Sequence, residues 1–99
     1  MYNFKRESFY LIQKISLSKL INSHKKEIIS SSISNDFSII NISSDKDYFE
    51  NSLFFLKKDK FEIIDNITTK NILIVTDISE YYEQLKTNRS IILVSSINS

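Results

Sequence analysis

The sequence contains no cysteine, glycine, proline, tryptophan or alanine. Without cysteine, the chain can form no disulfide, no thiolate nucleophile and no cysteine-ligated zinc or iron–sulfur site. Without glycine, it has no phosphate-binding loop of the P-loop or dinucleotide type. Turns that need positive φ must then be made by asparagine or aspartate, which tolerate that region better than other residues with a Cβ. Because glycine, alanine and proline have the codons richest in G and C, the composition indicates an AT-rich genome, as in organelles, endosymbionts, some parasites and phages.

The remaining composition is that of a small globular protein. The chain has 99 residues, of which 41% are hydrophobic and 25% charged, so it can bury a core but has little room for a large substrate cleft. Its longest apolar runs are Leu53–Leu56, Ile72–Val75 and Ile91–Val94. Each is far below the roughly 20 residues that a membrane-spanning helix needs. We therefore expect no membrane partner.

Charge is unevenly distributed along the chain. The net charge is +1, yet residues 1–30 carry six basic and two acidic side chains, while residues 31–69 are net acidic. Non-specific affinity for nucleic acid follows the number of phosphates that a protein neutralises. The small net charge therefore argues against a protein that holds nucleic acid by electrostatics alone, and any such role needs a shaped basic patch.

Hydrophobic periodicity predicts an α+β fold: an amino-terminal helix-strand-helix-strand-strand unit, followed by a truncated β-rich unit with one short helix. The polar stretch 67–70 predicts a boundary between an amino-terminal α/β subdomain, 1–66, and a carboxyl-terminal subdomain, 67–99. Asp59 is expected to make the tight turn of an antiparallel hairpin, and Ser79 to cap the last helix. The predicted helices are 7–23, about 35–42 and 79–86, and the predicted strands are 27–30, 52–56, 60–65, 71–75 and 90–95.

No set of residues typical of catalysis is present, and we expect neither an enzyme nor a cofactor or metal site. His24 is the single histidine, which favours a solvated loop residue over a member of a triad or metal cluster. The acidic pairs Asp45/Asp47 and Glu80/Glu83 lie in polar stretches that favour solvated caps. A distant alternative is an enzyme subunit in which Asp45, Asp47 and His24 converge.

Binding has better candidates. Basic residues and Asn22 could line one side of the first helix and its exit, where phosphate contacts would fix position without reading sequence. An ordinary solvated helix face explains the same pattern. Tyr81 and Tyr82 could stack on bases, but a split between core and surface is the favoured interpretation. The basic residues concerned are Arg6, Lys14, Lys19, Lys25 and Lys26.

Several motifs, taken in order, resemble the family of ribosomal protein eight of the bacterial-type small subunit, in a shortened organellar form. The family's first helix carries Leu-Thr-Arg-Ile-Arg-Asn-Ala before a basic turn and a strand, and residues 17–23 followed by Lys25 and Lys26 take those places. Residues 39–43 and 46–49 correspond to the end of its second helix and the next strand. Residues 76–78, 80–86 and 91–94 correspond to its later strand, helix and strand, and residues 95–99 to its Ser-Thr-Ser-Lys-Gly loop. Asn98 stands where the family has lysine.

The resemblance implies a structural constituent of an organellar small ribosomal subunit that binds the central domain of the rRNA without chemistry. Its implied partners are small-subunit rRNA and neighbouring ribosomal proteins, with no small-molecule substrate. The implied location is the mitochondrion, and the resemblance implies that the protein is encoded in the organelle's own genome. The alternative location is the cytoplasm of a bacterial endosymbiont. The rival function is a small protein-interaction or regulatory module of an AT-rich phage or parasite genome. The expected rRNA-binding residues are Lys19, Asn22, Lys25, Lys26, Lys70, Ser95, Ser96 and Asn98.

Overall fold

The computed structural model describes residues 4–5 and 15–98, and these form a mixed five-stranded sheet flanked by helices. The strands of this sheet lie in the order β3-β8-β7-β6-β5, and two further sheets have two strands each, β1-β9 and β2-β4. Strands β5 to β8 run parallel, and β3 is antiparallel to β8. The strands are β1 Phe4–Lys5, β2 Ile15–Ser16, β3 Ile28–Ser32, β4 Ser38–Ile39, β5 Asn41–Ile42, β6 Ser52–Leu56, β7 Ile72–Thr76, β8 Ser90–Val94 and β9 Ile97–Asn98; the helices are α1 Leu17–Ser23, α2 Ser79–Leu85 and a 3₁₀ helix Phe61–Asn66.

The three central strands are buried along their whole length. Every residue of β6, β7 and β8 is buried, because both faces of this parallel sheet are covered, and strands of this kind read as continuous apolar runs. The 3₁₀ helix connects β6 to β7 and α2 connects β7 to β8. Residues of both helices pack on one face of the sheet, while Leu17 and Leu20 of α1 pack on the other together with Ile39.

The α+β class is confirmed, and so are the predicted elements of the carboxyl-terminal third. Strand β7, helix α2 and strand β8 each lie within one residue of their predicted bounds, and β3 occupies the place of the first predicted strand. The prediction that Ser79 caps α2 is wrong. Its N-cap residue is Ile78, without a side-chain capping bond, and Thr76 Oγ1 accepts a hydrogen bond from the Ile78 backbone N–H at 3.1 Å instead.

The predicted antiparallel hairpin is wrong. Strand β6 pairs in parallel with β7, and the expected second strand of the hairpin is the 3₁₀ helix. Phe61, Ile64 and Ile67 recur every third residue, which places them on one face of a helix with three residues per turn. A strand buried on both faces needs a neighbour that is equally apolar, and β7 meets that need while the segment around the exposed Glu62 does not. Strands on both sides of the expected 66/67 boundary therefore pair in one sheet.

The predicted second helix is also wrong, and the first is shorter than predicted within the described residues. Residues 38–39 and 41–42 are the strands β4 and β5, as their β-branched isoleucines favour. Helix α1 begins at Leu17 because extended Ser16 caps it, its side chain accepting from the Lys19 N–H at 3.3 Å. Residues 7–14 of the predicted first helix lie outside the described residues.

Asparagine and aspartate make the left-handed turns, as the absence of glycine predicts. Asn51, Asp59 and Asn71 have φ values of 58°, 67° and 59°. Asn51 and Asn71 immediately precede β6 and β7, and their side chains are linked, with Asn71 Nδ2 donating to Asn51 Oδ1 at 2.8 Å. Asn35 Nδ2 donates to Asn71 Oδ1 at 3.1 Å. Asn71 therefore links the starts of β6 and β7 to the connection between β3 and β4.

Replacing Asn71 by alanine is expected to lower the free energy of unfolding by about 1.5 kcal/mol, because alanine loses both amide hydrogen bonds and is strained at positive φ. Urea unfolding followed by circular dichroism measures the loss. The matched control is Asn71→Gly, which keeps the backbone conformation and removes only the side-chain bonds. An alanine variant as stable as the glycine variant would contradict the strained geometry.

Candidate nucleic-acid interface

The predicted binding residues are best located relative to the carboxyl edge of the parallel strands. Strands β5 to β8 all end at this edge, and antiparallel β3 begins there. In open sheets of parallel strands, ligands bind outside the carboxyl ends of the strands. The turn from His24 to Glu27 joins α1 to β3, and Ser95 follows β8 at the same place. The Ser95 N–H donates to the Glu27 carbonyl at 2.9 Å, so two distant segments meet at this corner.

Four predicted residues lie in these two segments: Lys25, Lys26, Ser95 and Ser96, here called the lysine-serine corner. Lys25, Lys26 and Ser95 are exposed, and Ser96 is half-buried. Lys19 and Asn22 are exposed on α1, which leads directly into the turn. The fold thus brings lysine ammonium groups and small hydroxyl groups to one corner of the sheet.

Of the other two predicted residues, Lys70 lies at the opposite edge of the sheet and Asn98 follows the lysine-serine corner along the chain. Lys70 is exposed and precedes β7, at the amino edge of the sheet opposite the lysine-serine corner. Asn98 belongs to β9, which pairs in parallel with β1 through the register of Asn98 with Lys5. Just before it, the Ile97 N–H donates to Asp77 Oδ2 at 3.1 Å. This bond ties the segment after Ser96 to the end of β7.

His24 is buried, so the prediction of a solvated loop histidine is wrong. Only 8% of His24 and 5% of Glu27 is exposed, because the turn folds back on itself. The backbone N–H groups of Glu27 and Ile28 both donate to the His24 carbonyl, at 3.0 and 3.2 Å. Burial lowers the pKa of His24 below its ordinary value, and the nearby Glu27 carboxylate opposes that change.

The unfolding free energy is therefore expected to fall as the pH drops through the ordinary histidine range. A lowered folded-state pKa means that the unfolded chain binds the proton first, so stability is complete above the unfolded pKa of about 6.5 and declines below it. One group contributes a slope of at most about 1.4 kcal/mol per pH unit. Urea unfolding between pH 8 and pH 5.5, limits chosen at roughly one unit or more around that pKa, measures the slope. A His24→Gln variant should lose this part of it, and an unchanged slope would contradict the assignment.

The acidic candidates are exposed, as predicted, and do not form a site with His24. Asp45, Asp47, Glu80 and Glu83 are all exposed, and Glu83 pairs with Lys86 at 2.8 Å. Asp45 follows β5 and His24 precedes β3, which are opposite edges of the five-stranded sheet. Four interstrand spacings of about 4.8 Å separate those edges. The alternative in which Asp45, Asp47 and His24 converge is therefore excluded by the fold.

Among residues 4–5 and 15–98, no group of three or more histidine, cysteine, aspartate or glutamate side chains is placed to hold a metal ion. No helix among them is long and apolar enough to cross a membrane.

The two adjacent tyrosines are divided between core and surface, as predicted. Tyr82 is buried, and Tyr81 is half-buried. The Tyr81 hydroxyl accepts a hydrogen bond from the Asp59 N–H at 3.1 Å, and its ring lies 4.9 Å from that of Phe61. These contacts hold Tyr81 against the connection between β6 and the 3₁₀ helix, so it is a structural residue of that face.

A second group of lysines at the carboxyl edge is not indicated by the sequence motifs above. Lys57 and Lys60 flank Asp59 in the predicted hairpin turn, but parallel pairing of β6 places them beyond the end of that strand, beside a pocket. The signal that could have found them is the three-residue period of Phe61, Ile64 and Ile67. That period indicates a 3₁₀ crossover, and a crossover requires the next strand to be parallel.

Comparison with known proteins provides no match: no family model, no curated protein and no solved structure matches the chain.

Proposed function

We propose that the protein binds structured RNA through backbone and shape contacts, as a structural constituent of an organellar small ribosomal subunit. The observation that supports this most directly is the lysine-serine corner, where the 2.9 Å bond from Ser95 to Glu27 holds the serines beside Lys25 and Lys26. Lysine side chains contact phosphates, and serine hydroxyls bond to phosphate oxygens and to ribose 2′-hydroxyl groups. The corner thus offers both kinds of contact that an RNA backbone accepts.

The small net charge of the chain favours RNA binding through a few local contacts. With a net charge of +1, binding depends on the few exposed cations that face one RNA segment. Lys19, Lys25 and Lys26 are exposed in and after α1, and each neutralises one phosphate when it binds. Small Ser95 lets the backbone approach closely. These contacts fix position without reading bases.

The identity of the RNA is proposed from the family resemblance and from the amino-acid composition. The family motifs favour the central domain of small-subunit rRNA and neighbouring small-subunit proteins as partners. The AT-rich composition favours an organelle, with the mitochondrion as the proposed location. In this role the protein contributes no chemistry and stabilises the folded rRNA.

Sedimentation tests this proposal. An organelle lysate is run on a sucrose gradient at high magnesium, and the protein is detected by antibody across the fractions. We expect it to co-migrate with the small subunit and to move to the top after ribonuclease treatment. Free migration at high magnesium would contradict the proposal.

One observation favours a second candidate, a protein-interaction module. Strand β3 is an edge of the five-stranded sheet, with no other described strand on its outer side, and Ile29 on it is 63% exposed. Such an edge can pair with a strand of another protein. If the protein is such a module, the same gradient should place it apart from the small subunit, in a complex that ribonuclease treatment leaves intact.

A further inference from the structure

A pocket lies at the carboxyl edge where β5 and β6 end, away from the lysine-serine corner. Its volume is about 190 Å³. Asp45 closely follows β5, and Lys57 and Lys60 closely follow β6. These three residues line the pocket. Its position is therefore the one at which open sheets of parallel strands bind ligands.

Part of the pocket lining is apolar. Phe54, Phe55 and Ile63 belong to it. Phe54 packs with the helices on one face of the sheet and Phe55 with α1 on the other, and both residues line the pocket near the end of β6. Ile63 is half-buried and comes from the 3₁₀ helix. An apolar group of a ligand, such as a base, can contact this lining.

The rim carries charges of both signs. Lys60 Nζ lies 4.0 Å from Asp45 Oδ2, and their side chains are 55% and 48% exposed. This separation is too long for a hydrogen bond, and an exposed ion pair of this kind contributes little. An anionic ligand can therefore replace Asp45 as the partner of Lys60 with little loss of free energy. Lys57 adds a second ammonium group to the rim, so the cations outnumber the carboxylate.

We propose that this pocket binds a nucleoside monophosphate. The phosphate lies between Lys57 and Lys60, as charge-assisted hydrogen bonding favours. The Asp45 carboxylate accepts hydrogen bonds from the ribose hydroxyls, the role that an acidic residue has in dinucleotide-binding sheets. The base lies against the apolar part of the lining. A free nucleotide and an unpaired nucleotide of bound RNA present the same chemistry, and the second source rests on the proposed function.

Nuclear magnetic resonance titration of the isotope-labelled full chain tests this assignment with defined probes. The probes are uridine monophosphate, uridine, inorganic phosphate and a short single-stranded oligouridylate. We expect uridine monophosphate to shift the amide signals of Asp45, Lys57 and Ile63 saturably, and to bind more tightly than uridine or phosphate alone. Absence of saturable binding overturns the assignment. Equal binding of phosphate reduces the pocket to an anion site, which also overturns it.

Three variants identify the site. Lys57→Gln and Lys60→Gln are each expected to weaken binding of uridine monophosphate about tenfold, because each removes a hydrogen bond to a charged group. Lys58→Gln is the matched control, since it makes the same charge change beside the site without lining it, and we expect affinity within about twofold of the parent chain. Equal losses in all three variants would overturn the assignment, and thermal unfolding verifies that each variant is folded.

The two proposals fail in different ways. A chain that binds uridine monophosphate through Lys57 and Lys60 but sediments free of the small subunit has a site for free nucleotide and no ribosomal role. A chain that co-migrates with the small subunit but shows no saturable nucleotide or oligouridylate binding at this pocket lacks the site and keeps that role.

Discussion

Replacing Arg89 by methionine is expected to lower the free energy of unfolding by about 3 kcal/mol. The Arg89 guanidinium donates to the Ile67 carbonyl at 2.9 Å and to the Ile64 carbonyl at 3.1 Å. Both isoleucines are buried, and each hydrogen bond from a charged donor contributes about 1.5 to 3 kcal/mol. Arg89 lies just before β8 and thereby ties the end of the 3₁₀ helix to the centre of the sheet. Urea unfolding measures the loss.

Arg89→Lys is the matched control for this prediction. Lysine keeps the positive charge but lacks the planar fork that reaches two carbonyls at once, so it should recover only part of the lost stability. A methionine variant that loses less than about 1 kcal/mol would contradict the role assigned to these two bonds, because even neutral hydrogen bonds contribute about that much.

Replacing both Lys25 and Lys26 by glutamine is expected to weaken RNA binding strongly at low salt and to make it less dependent on salt. Each lysine that contacts a phosphate releases about one counterion when it binds. The slope of log affinity against log salt concentration should therefore fall in magnitude by about two for the double variant. Filter binding or fluorescence anisotropy with a transcript of the small-subunit rRNA central domain, over a range of salt concentrations, measures both quantities.

The control for the double variant is Lys86→Gln. Lys86 follows α2 on the opposite layer from α1, and it pairs with Glu83 at 2.8 Å, so its loss should leave the salt slope unchanged. Equal slopes for the parent chain and the double variant would contradict a phosphate contact at the lysine-serine corner.

Replacing Ser95 by a bulky leucine should weaken RNA binding without changing the salt slope, because it blocks close approach of the RNA backbone and removes no charge.

Local pattern was sufficient where each element is bounded by its own signals. Strands β7 and β8 are continuous apolar runs between polar stretches, and α2 lies between them with an amphipathic face that buries Tyr82 and Leu85. The left-handed turns at Asp59 and Asn71 follow from the absence of glycine. These features depend on a few neighbouring residues, and periodicity captures them.

Pairing partners were not predictable in the same way. Residues 52–56 and 60–65 looked like a local hairpin, but the apolar partner that completes β6 lies at residues 72–76. The choice is decided by burial on both faces of the sheet, which no local window contains. The pocket beside Lys57 and Lys60 could not be predicted from that hairpin, because a hairpin turn places both lysines in open solvent.

Sequence reasoning named candidate binding residues but could not place them relative to one another. Lys25 and Lys26 follow from the basic amino-terminal stretch, and Ser95 and Ser96 from the family resemblance. Their juxtaposition depends on antiparallel pairing of β3 with β8, which are separated by most of the chain. Burial of His24 depends on the same turn, and composition could not indicate it.

Ultraviolet crosslinking in cells that produce the protein, followed by identification of the bound RNA and the crosslinked peptides, tests the RNA-binding account most directly. The account predicts crosslinks between the central domain of small-subunit rRNA and peptides that contain Lys25 and Lys26 or Ser95 and Ser96. Recovery of the protein without RNA, or with RNA attached only to peptides away from the lysine-serine corner, would contradict it.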